Sequence, residues 1–543
     1  MKKTLACFLA LVMALSLAAA SLAEGLPIVP EVIEYTIVVP DETYIEPLKE
    51  NTVTQWILDN MNIKINWEEY PNATASEFKE KVNLIIAADE LPDAFMYASF
   101  TPAELANYGG QGIFIPLNDL IEEYGVNHKK LFDRYEALPG AYTALDGNIY
   151  NIAATNECYH CFYALKAWIN QTWLDNLGLE YPNTLEEFES VLTAFKEEDA
   201  NGNGDPNDEI PMSGCYNSWN AKAFPFLMNS FLHFEDDKYL SVTRDGEVIF
   251  APTQPEFKDG MQYIAGPIEK GLIEKESLTQ TDEELKVKNS NGPDPTVGVV
   301  TGGTWWISME AGSPGQEDLR ARQYVALSPL AGPNGVRISP KMSGDGYLIG
   351  HTVITSACKD PVPLFKMFDY LLGDLDMTIR INMGVEGEDW TKPGEGEVGI
   401  NGKPALYKRI NQPEGALNFN WMDNVWPSDR NSDYRLGEWA DYSDPDTKWM
   451  SEPRLYNDTH DFFAPFGTDY ESRFPEVNMT TEEAERNAFL KTQINDYTKE
   501  QIVAFLAGER SFDEWDAFIN EYNNLGLPEY MELQNTAYTR QYK

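Results

Sequence analysis

The chain is poor in positive charge, in histidine and in cysteine, and each shortage excludes a class of chemistry. Against 87 Asp and Glu there are 41 Lys and Arg, a net charge of −46. Such a field repels nucleic acid and anionic lipid, and it disfavours polyanionic substrates at long range. There are 5 histidines, His128, His160, His233, His351 and His460, and none pairs with another at metal-binding spacing. No His-Glu-x-x-His, Gly-x-Ser-x-Gly elbow or phosphate-cradling Gly-rich loop occurs. Beyond the first twenty or so residues no apolar run is long enough to cross a bilayer. No internal repeat at a solenoid period is present, and neither are the repeated modules or wall-anchoring segments of a surface adhesin.

The apolar run at the start has a different meaning. Lys2 and Lys3 precede Leu5 to Ala20, and Ser21-Leu22-Ala23 stands before Glu24. That is the pattern of a secretory signal spanning residues 1–23, or of an anchor if it is retained, so the chain is expected to be exported. Without its two lysines the balance is 39 basic against 87 acidic residues, a net of −48, a composition suited to solubility outside the cell. Cys7 lies inside the signal and cannot serve as a lipid-attachment residue at the cleavage point. Cys158, Cys161, Cys215 and Cys358 remain, and four cysteines allow three full pairings. Cys158-Tyr-His-Cys161 invites a redox or zinc reading, but a zinc site needs about four ligands and no second nearby pair appears. Structural disulfides or buried thiols fit better.

At 43% hydrophobic and 12% aromatic residues, a chain of 543 residues is globular, with room for two or more cores. Ile33 to Val39 is a β-branched run. Val53, Trp56, Ile57 and Met61 recur at helical spacing, and Ile63, Ile65 and Trp67 alternate as a strand. Phe78, Val82, Ile85 and Ile86 mark a second helix, followed by a short buried strand, Ala94 to Tyr97. Strand, helix and strand in succession predict an α/β fold with a mainly parallel sheet. Ligands sit beyond the carboxyl ends of such strands, which singles out the loops Pro40–Tyr44 and Tyr97–Thr101.

Residues 199–211 carry the clearest ligand chemistry. Thr184 and Glu187 form a capping box for a helix whose apolar face is Leu185, Phe188, Val191, Leu192 and Phe195. The helix runs into Asp199, Asn201 and Asn203, with Gly204 at the turn and Asp205, Asn207, Asp208 and Glu209 beyond. A hard cation such as Ca²⁺ takes about six to eight oxygens, and a loop of this spacing can wrap one. A regular EF-hand places its bidentate Glu at about the twelfth position, which is Ile210 here, so the loop is a variant. The expected ligands are the side chains of Asp199, Asn201, Asn203, Asp208 and Glu209, with the backbone carbonyl of Asp205. Asn207 is an alternative for completing the shell. The role is structural.

Several stretches resemble the extracellular solute-binding proteins of carbohydrate ABC importers. They include Asp89 to Asp93, Gly112 to Ile121 and Asp146 to Tyr150. More specific are Trp168 to Gly178 with Pro182 and Thr184, and Phe195 to Pro211. The last is similar to the calcium loop of the large subgroup that includes alginate-binding proteins. Thr480 and Glu483 form another capping box, and Ile502 to Gly508, Ser511 to Asp516, Leu525 to Pro528 and Ala537 to Arg540 resemble the family's ending. The resemblance implies a two-lobed periplasmic-binding-protein-like (type II) flytrap with its ligand in the interlobe cleft. The expected lobes are residues 33–153 plus 351–391, and 154–350 plus 392–543. It also implies a monomer that delivers its ligand to ABC transporter permease subunits.

Thr301-Gly-Gly-Thr-Trp-Trp-Ile307 follows a linker at Asn289–Pro295. In a strand its consecutive tryptophans would point to opposite faces, and the resemblance makes Trp305 the residue that stacks on sugar. Gly344–Val353 reads as a return strand, and Ser356 to Pro361 leads a helix bearing Leu364, Phe365, Phe368 and Leu371. Met383 to Trp390 resembles a family loop in which Glu386 either accepts hydroxyl hydrogen bonds or braces the turn. Trp421, Trp426, Trp439 and Trp449 fall in an irregular stretch. The expected ligand-binding residues are Tyr97, Trp219, Trp305, Glu386, Trp390, Trp421 and Trp426. Their aromatic faces suit the C–H face of a sugar ring. The acidic field argues against uronate polymers, leaving a neutral or mildly polar oligosaccharide. A secreted glycoside-active enzyme, needing two placed carboxylates, and a binder of peptides or another polar solute are the alternatives.

Overall fold

Two mixed sheets organise the chain. The computed structural model describes residues 25–41, 47–71, 77–236, 238–290, 294–308, 320–342, 346–373, 375–410, 426–444, 451–468, 470 and 472–543. The signal at 1–23 with Cys7, and Trp421 and Trp449, lie outside the described residues.

In chain order the elements that matter are β1 (Ile33–Asp41), α1 (Thr52–Met61), β2 (Ile63–Pro71), α2 (Glu77–Ala87) and β3 (Ala94–Met96). Next come β4 (Ala167–Asn170), α3 (Leu185–Glu197), β5 (Ile210–Ser213), α4 (Ala223–Met228), α5 (Pro255–Glu269), β6 (Val297–Thr301) and β7 (Tyr324–Leu327). The set closes with β8 (Thr352–Ile354), α6 (Pro361–Leu371) and α7 (Thr481–Leu506). The first sheet has the order β8-β3-β1-β2, with β1 parallel to β2 and β3, and β8 antiparallel to β3. The second has the order β7-β4-β6-β5, with β5 and β6 parallel and β4 antiparallel to both β6 and β7.

Local chemistry explains the helices. Asn51 caps α1 by accepting from the Val53 amide, and Asn62 ends it in a left-handed conformation. The Thr184/Glu187 and Thr480/Glu483 capping boxes both form, heading α3 and α7. The predicted apolar face of α3, from Leu185 to Phe195, is buried, as are Leu364, Phe365, Phe368 and Leu371 of α6. Among the described residues no helix is long and apolar enough to cross a membrane.

The chain divides into two units. One takes in residues up to Asn156, Tyr347–Lys392 and Tyr407–Tyr434; the other takes in Glu157–Gly346, Pro393–Leu406 and Arg435–Lys543. Tyr407–Tyr434, expected in the second lobe, thus belongs with the first. Trp426 packs edge-on to Trp67 at 5.3 Å, and Asp429 accepts from the Thr155 hydroxyl at 2.6 Å.

Two strand expectations fail. Among the described residues of the expected return strand Gly344–Val353, only those in Thr352–Ile354 form a strand, and Gly344 lies outside the described residues. The strand through the paired tryptophans stops at Thr301, and Trp305–Ser308 forms a single 3-10 turn. Gly303 breaks it: its amide donates to the Trp219 carbonyl at 2.8 Å, and a Cβ there would lie 2.1 Å from the Trp219 ring. The indole presses on bare backbone, and only glycine leaves room.

Candidate functional site

Each sheet presents loops at the carboxyl ends of its parallel strands. In the first unit the loop after β3 carries Tyr97 and Ser99, both in the left-handed region at φ 57° and 49°. Bulky residues rarely adopt this conformation, at a cost of roughly 1–2 kcal/mol each. Neighbouring backbone holds them: Ala98 N donates to His351 O at 3.1 Å and Phe100 N to Gly350 O at 3.0 Å. The strained geometry leaves the Tyr97 ring half-buried, edge-on to His351 at 5.3 Å.

In the second unit the loops after β5 and β6 meet the residues before β4, which runs the other way. Gly302 N donates to the Lys166 carbonyl at 3.1 Å, joining two of these segments. Trp219 lies on Gly303 with 43% of its surface exposed, and His160 stands edge-on to its ring at 6.3 Å. Asn220, at φ 53°, turns the chain immediately behind it. An exposed indole fixed on its underside by glycine is a ready stacking face.

Trp305 differs from the expectation. It is only 5% exposed, edge-on to Trp168 at 6.2 Å and to Trp306 at 4.8 Å. The Arg454 guanidinium lies 4.1 Å above its ring. One face is therefore occupied by a cation, and the 3-10 turn rather than a strand sets this orientation.

Beneath these aromatics runs a charge network that sequence reasoning missed. Lys166 is fully buried, donates to the His160 carbonyl at 2.5 Å, and burial pushes its ammonium down to about 7, with Asp458 and Glu452 acting the other way. Arg454 pairs with Asp458 at 3.4 Å, and Trp168 Nε1 donates to the same carboxylate. Glu452 lies 3.4 Å from His160 Nε2 and 3.2 Å from Arg435. Burial opposes its ionisation, but its contacts with His160 and Arg435 hold its carboxyl well below the usual carboxylate range, while burial lowers the His160 imidazole. The one signal in sequence is Lys166 itself, a lysine set between Leu165 and Ala167 at the head of an apolar strand.

The other expected ligand residues are placed as follows. Glu386 is exposed on its turn, and Trp390 is 2% exposed with Nε1 donating to Gly384 O at 3.1 Å. Trp390 therefore braces the loop from within. Trp426 is 1% exposed, its indole nitrogen buried without a partner in the first unit's core. Both indoles are buried here, Trp390 against its own turn and Trp426 against Trp67.

The 199–211 loop converges on oxygen. Asn201 Oδ1 accepts from Asn203 N, Asn203 Oδ1 from Asp205 N, and Asp199 Oδ2 from Gly204 N, where φ is 94°. The amides of Asn201 and Asn203 donate to Asp208 at 3.0 and 2.8 Å. Asp199 Oδ1 and Glu209 Oε2 are buried with no hydrogen-bond partner. Burial, then the charges of Asp208 and Asp199, raise the Glu209 carboxyl above its usual range. Two orphaned carboxylate oxygens among crowded acids fit a hard cation.

Cys158 and Cys161 form a disulfide, which consumes both thiolates of the Cys158, His160, Cys161 cluster and removes the zinc reading. Cys215 and Cys358 are free, belong to different units, and burial pushes their thiols up to about 11 and about 12. They are inert at neutral pH.

No family model matches the chain. It is 28% identical over 505 residues to the fructooligosaccharide ABC transporter substrate-binding protein FusA of Streptococcus pneumoniae serotype 4, covering 90% of this chain and 87% of FusA. The structure of S. pneumoniae FusA in complex with kestose superposes with a TM-score of 0.75 at 26% identity, covering 94% of this chain and 99% of that one. The chain is a homologue of FusA. Its α/β architecture is that of the two-lobed solute-binding proteins, and its homologues are substrate-binding proteins of ABC transporters, not enzymes. A FusA EF-hand mutant, in complex with fructo-nystose, matches with a TM-score of 0.74 at 26% identity, over 94% of this chain and 99% of that one. The alginate-binding protein AlgQ2 shares the fold, with a TM-score of 0.62 at 22% identity over the same shares of the two chains.

Proposed function

We infer that the chain is the substrate-binding component of an ABC importer and that it binds an oligosaccharide. Homology to FusA over nine-tenths of the chain supports the class. The observation that carries the binding chemistry is Trp219, an exposed indole seated on Gly303 at the carboxyl edge of the second sheet. A sugar ring offers a C–H face to such an indole and hydroxyls to the polar groups around it. We assign the stacking role in the second unit to Trp219 rather than Trp305, and within the first unit we propose Tyr97 and Glu386 as ligand-binding residues of that unit. Trp305 then supports the loop from beneath.

The preferred ligand is a neutral oligosaccharide, because a uronate polymer would enter a field of −46. The chain is exported through residues 1–23, acts as a monomer, and hands its cargo to permease subunits. Ca²⁺ is held by Asp199, Asn201, Asn203, Asp208 and Glu209 with the Asp205 carbonyl, and it supplies rigidity to the end of α3. The orphaned oxygens of Asp199 and Glu209 support this. A thermal-shift screen against neutral oligosaccharides, uronates and peptides tests the ligand class. Stabilisation by neutral glycans alone is expected, and stabilisation by peptides alone would refute it.

A further inference from the structure

Trp219 is held by two other segments of the second unit. Gly303 lies under its ring, and the His160 imidazole meets it edge-on at 6.3 Å, with the ring planes 71° apart. His160 stands in the turn Tyr159–Phe162 and is 7% exposed. The Cys158–Cys161 disulfide closes the loop that contains it, with the two Cα atoms 5.1 Å apart. The amides of Cys161 and Phe162 both donate to the Cys158 carbonyl, at 2.9 and 3.0 Å. Glu452 lies 3.4 Å from His160 Nε2, and Lys166 donates to the His160 carbonyl. The ring edge that meets Trp219 is therefore fixed through the loop that the disulfide closes.

Of the pair, Cys158 is buried and Cys161 half-buried, so Cys161 is the more open to a dithiol. A thiolate of the dithiol bonds to the Cys161 sulfur and expels the Cys158 thiolate, which takes a proton. The dithiol's second thiolate then closes its own disulfide and releases Cys161, also as a thiol. Two electrons pass from the dithiol to the cysteine pair. Thiol sulfurs do not stay at bonding distance, so the loop opens beside His160. We propose that His160 positions the Trp219 stacking face and that the disulfide sets His160, so that sugar affinity depends on the redox state of Cys158 and Cys161. This rests on the reading of Trp219 as the residue that stacks on sugar. An indole already fixed in one orientation binds without the cost of ordering it. By reciprocity, bound sugar makes the disulfide harder to reduce by the same factor.

Calorimetry of the full chain with maltotriose, cellotriose and raffinose, before and after treatment with dithiothreitol, tests the proposal. Thiol counting in denaturant, rising by two, verifies reduction, and melting curves verify that each form is folded. Reduction is expected to raise Kd about five- to tenfold, and His160→Ala to do the same in the oxidised chain. His160→Phe, which restores a ring edge, should stay within about twofold of the wild type. A second readout needs no sugar. Acrylamide quenching of the Trp219 emission, taken as wild type minus Trp219→Phe, should increase on reduction and in His160→Ala but not in His160→Phe. If none of these sugars binds in either redox state, that result counts against the carbohydrate reading alone, and the quenching decides the proposal. Unchanged quenching on verified reduction, a sugar affinity that stays within about twofold, or His160→Phe behaving as His160→Ala would overturn it.

Discussion

Arg454 stacks its guanidinium 4.1 Å above the Trp305 ring while its Nε pairs with Asp458 at 3.4 Å. It also donates to the carbonyls of Ala321 and Tyr324, at 3.1 and 2.6 Å. One buried side chain thus ties α7's preceding segment, the Trp305 turn and β7 together. Lysine has neither the planar face nor the fork to replace it.

Removing Arg454 takes from buried Asp458 its paired guanidinium and from the Ala321 and Tyr324 carbonyls one donor each. Arg454→Met should therefore destabilise the chain by about 3–5 kcal/mol in denaturant melts, and Arg454→Lys should recover only a minor part. A loss below about 1 kcal/mol for the Met variant would show that the network is dispensable.

Lys166 makes stability depend on pH. Burial lowers its folded-state value to about 7, whereas an unfolded lysine holds its proton to about 10.4. Between these limits the unfolded chain binds more protons, so raising the pH favours the folded state, by at most about 1.4 kcal/mol per pH unit from this group. From pH 7 to 9 the wild type should gain stability relative to Lys166→Met. Parallel stability curves over that interval would contradict the assignment.

The calcium loop gives a third expectation. A cation that binds only the folded chain stabilises it by mass action, by about 2.7 kcal/mol at a hundredfold excess over Kd. Chelator should lower the Tm, Ca²⁺ should restore it, and Asp199→Ala should abolish both shifts. An identical melt with and without chelator would remove the ion from the account.

Local signals were legible in the sequence, and distant partnerships were not. Thr184 with Glu187, and the spacing from Leu185 to Phe195, define α3 because capping and periodicity act within a few residues. The β1-α1-β2 unit was legible for the same reason. Trp305 was misplaced because Gly303 yields to Trp219, which comes from another strand's loop. Trp426 was counted among the ligand-binding residues because its packing partner Trp67 lies hundreds of residues earlier. The Lys166 network was hidden likewise: Trp168 and Asp458, its flanking members, are 290 residues apart. Oxygen-rich residues 199–211 were readable as a cation loop because all their donors are adjacent, whereas which aromatic faces solvent is decided by packing.

Calorimetric titration of the purified chain with a panel of neutral oligosaccharides, for the wild type and Trp219→Ala, tests the central claim most directly. Saturable binding near one equivalent with no product formed is expected, and Trp219→Ala should lose about 1–3 kcal/mol of binding free energy, roughly a five- to 150-fold rise in Kd. Sugar turnover, no heat with any oligosaccharide, or a Trp219→Ala affinity within about twofold of the wild type would contradict it.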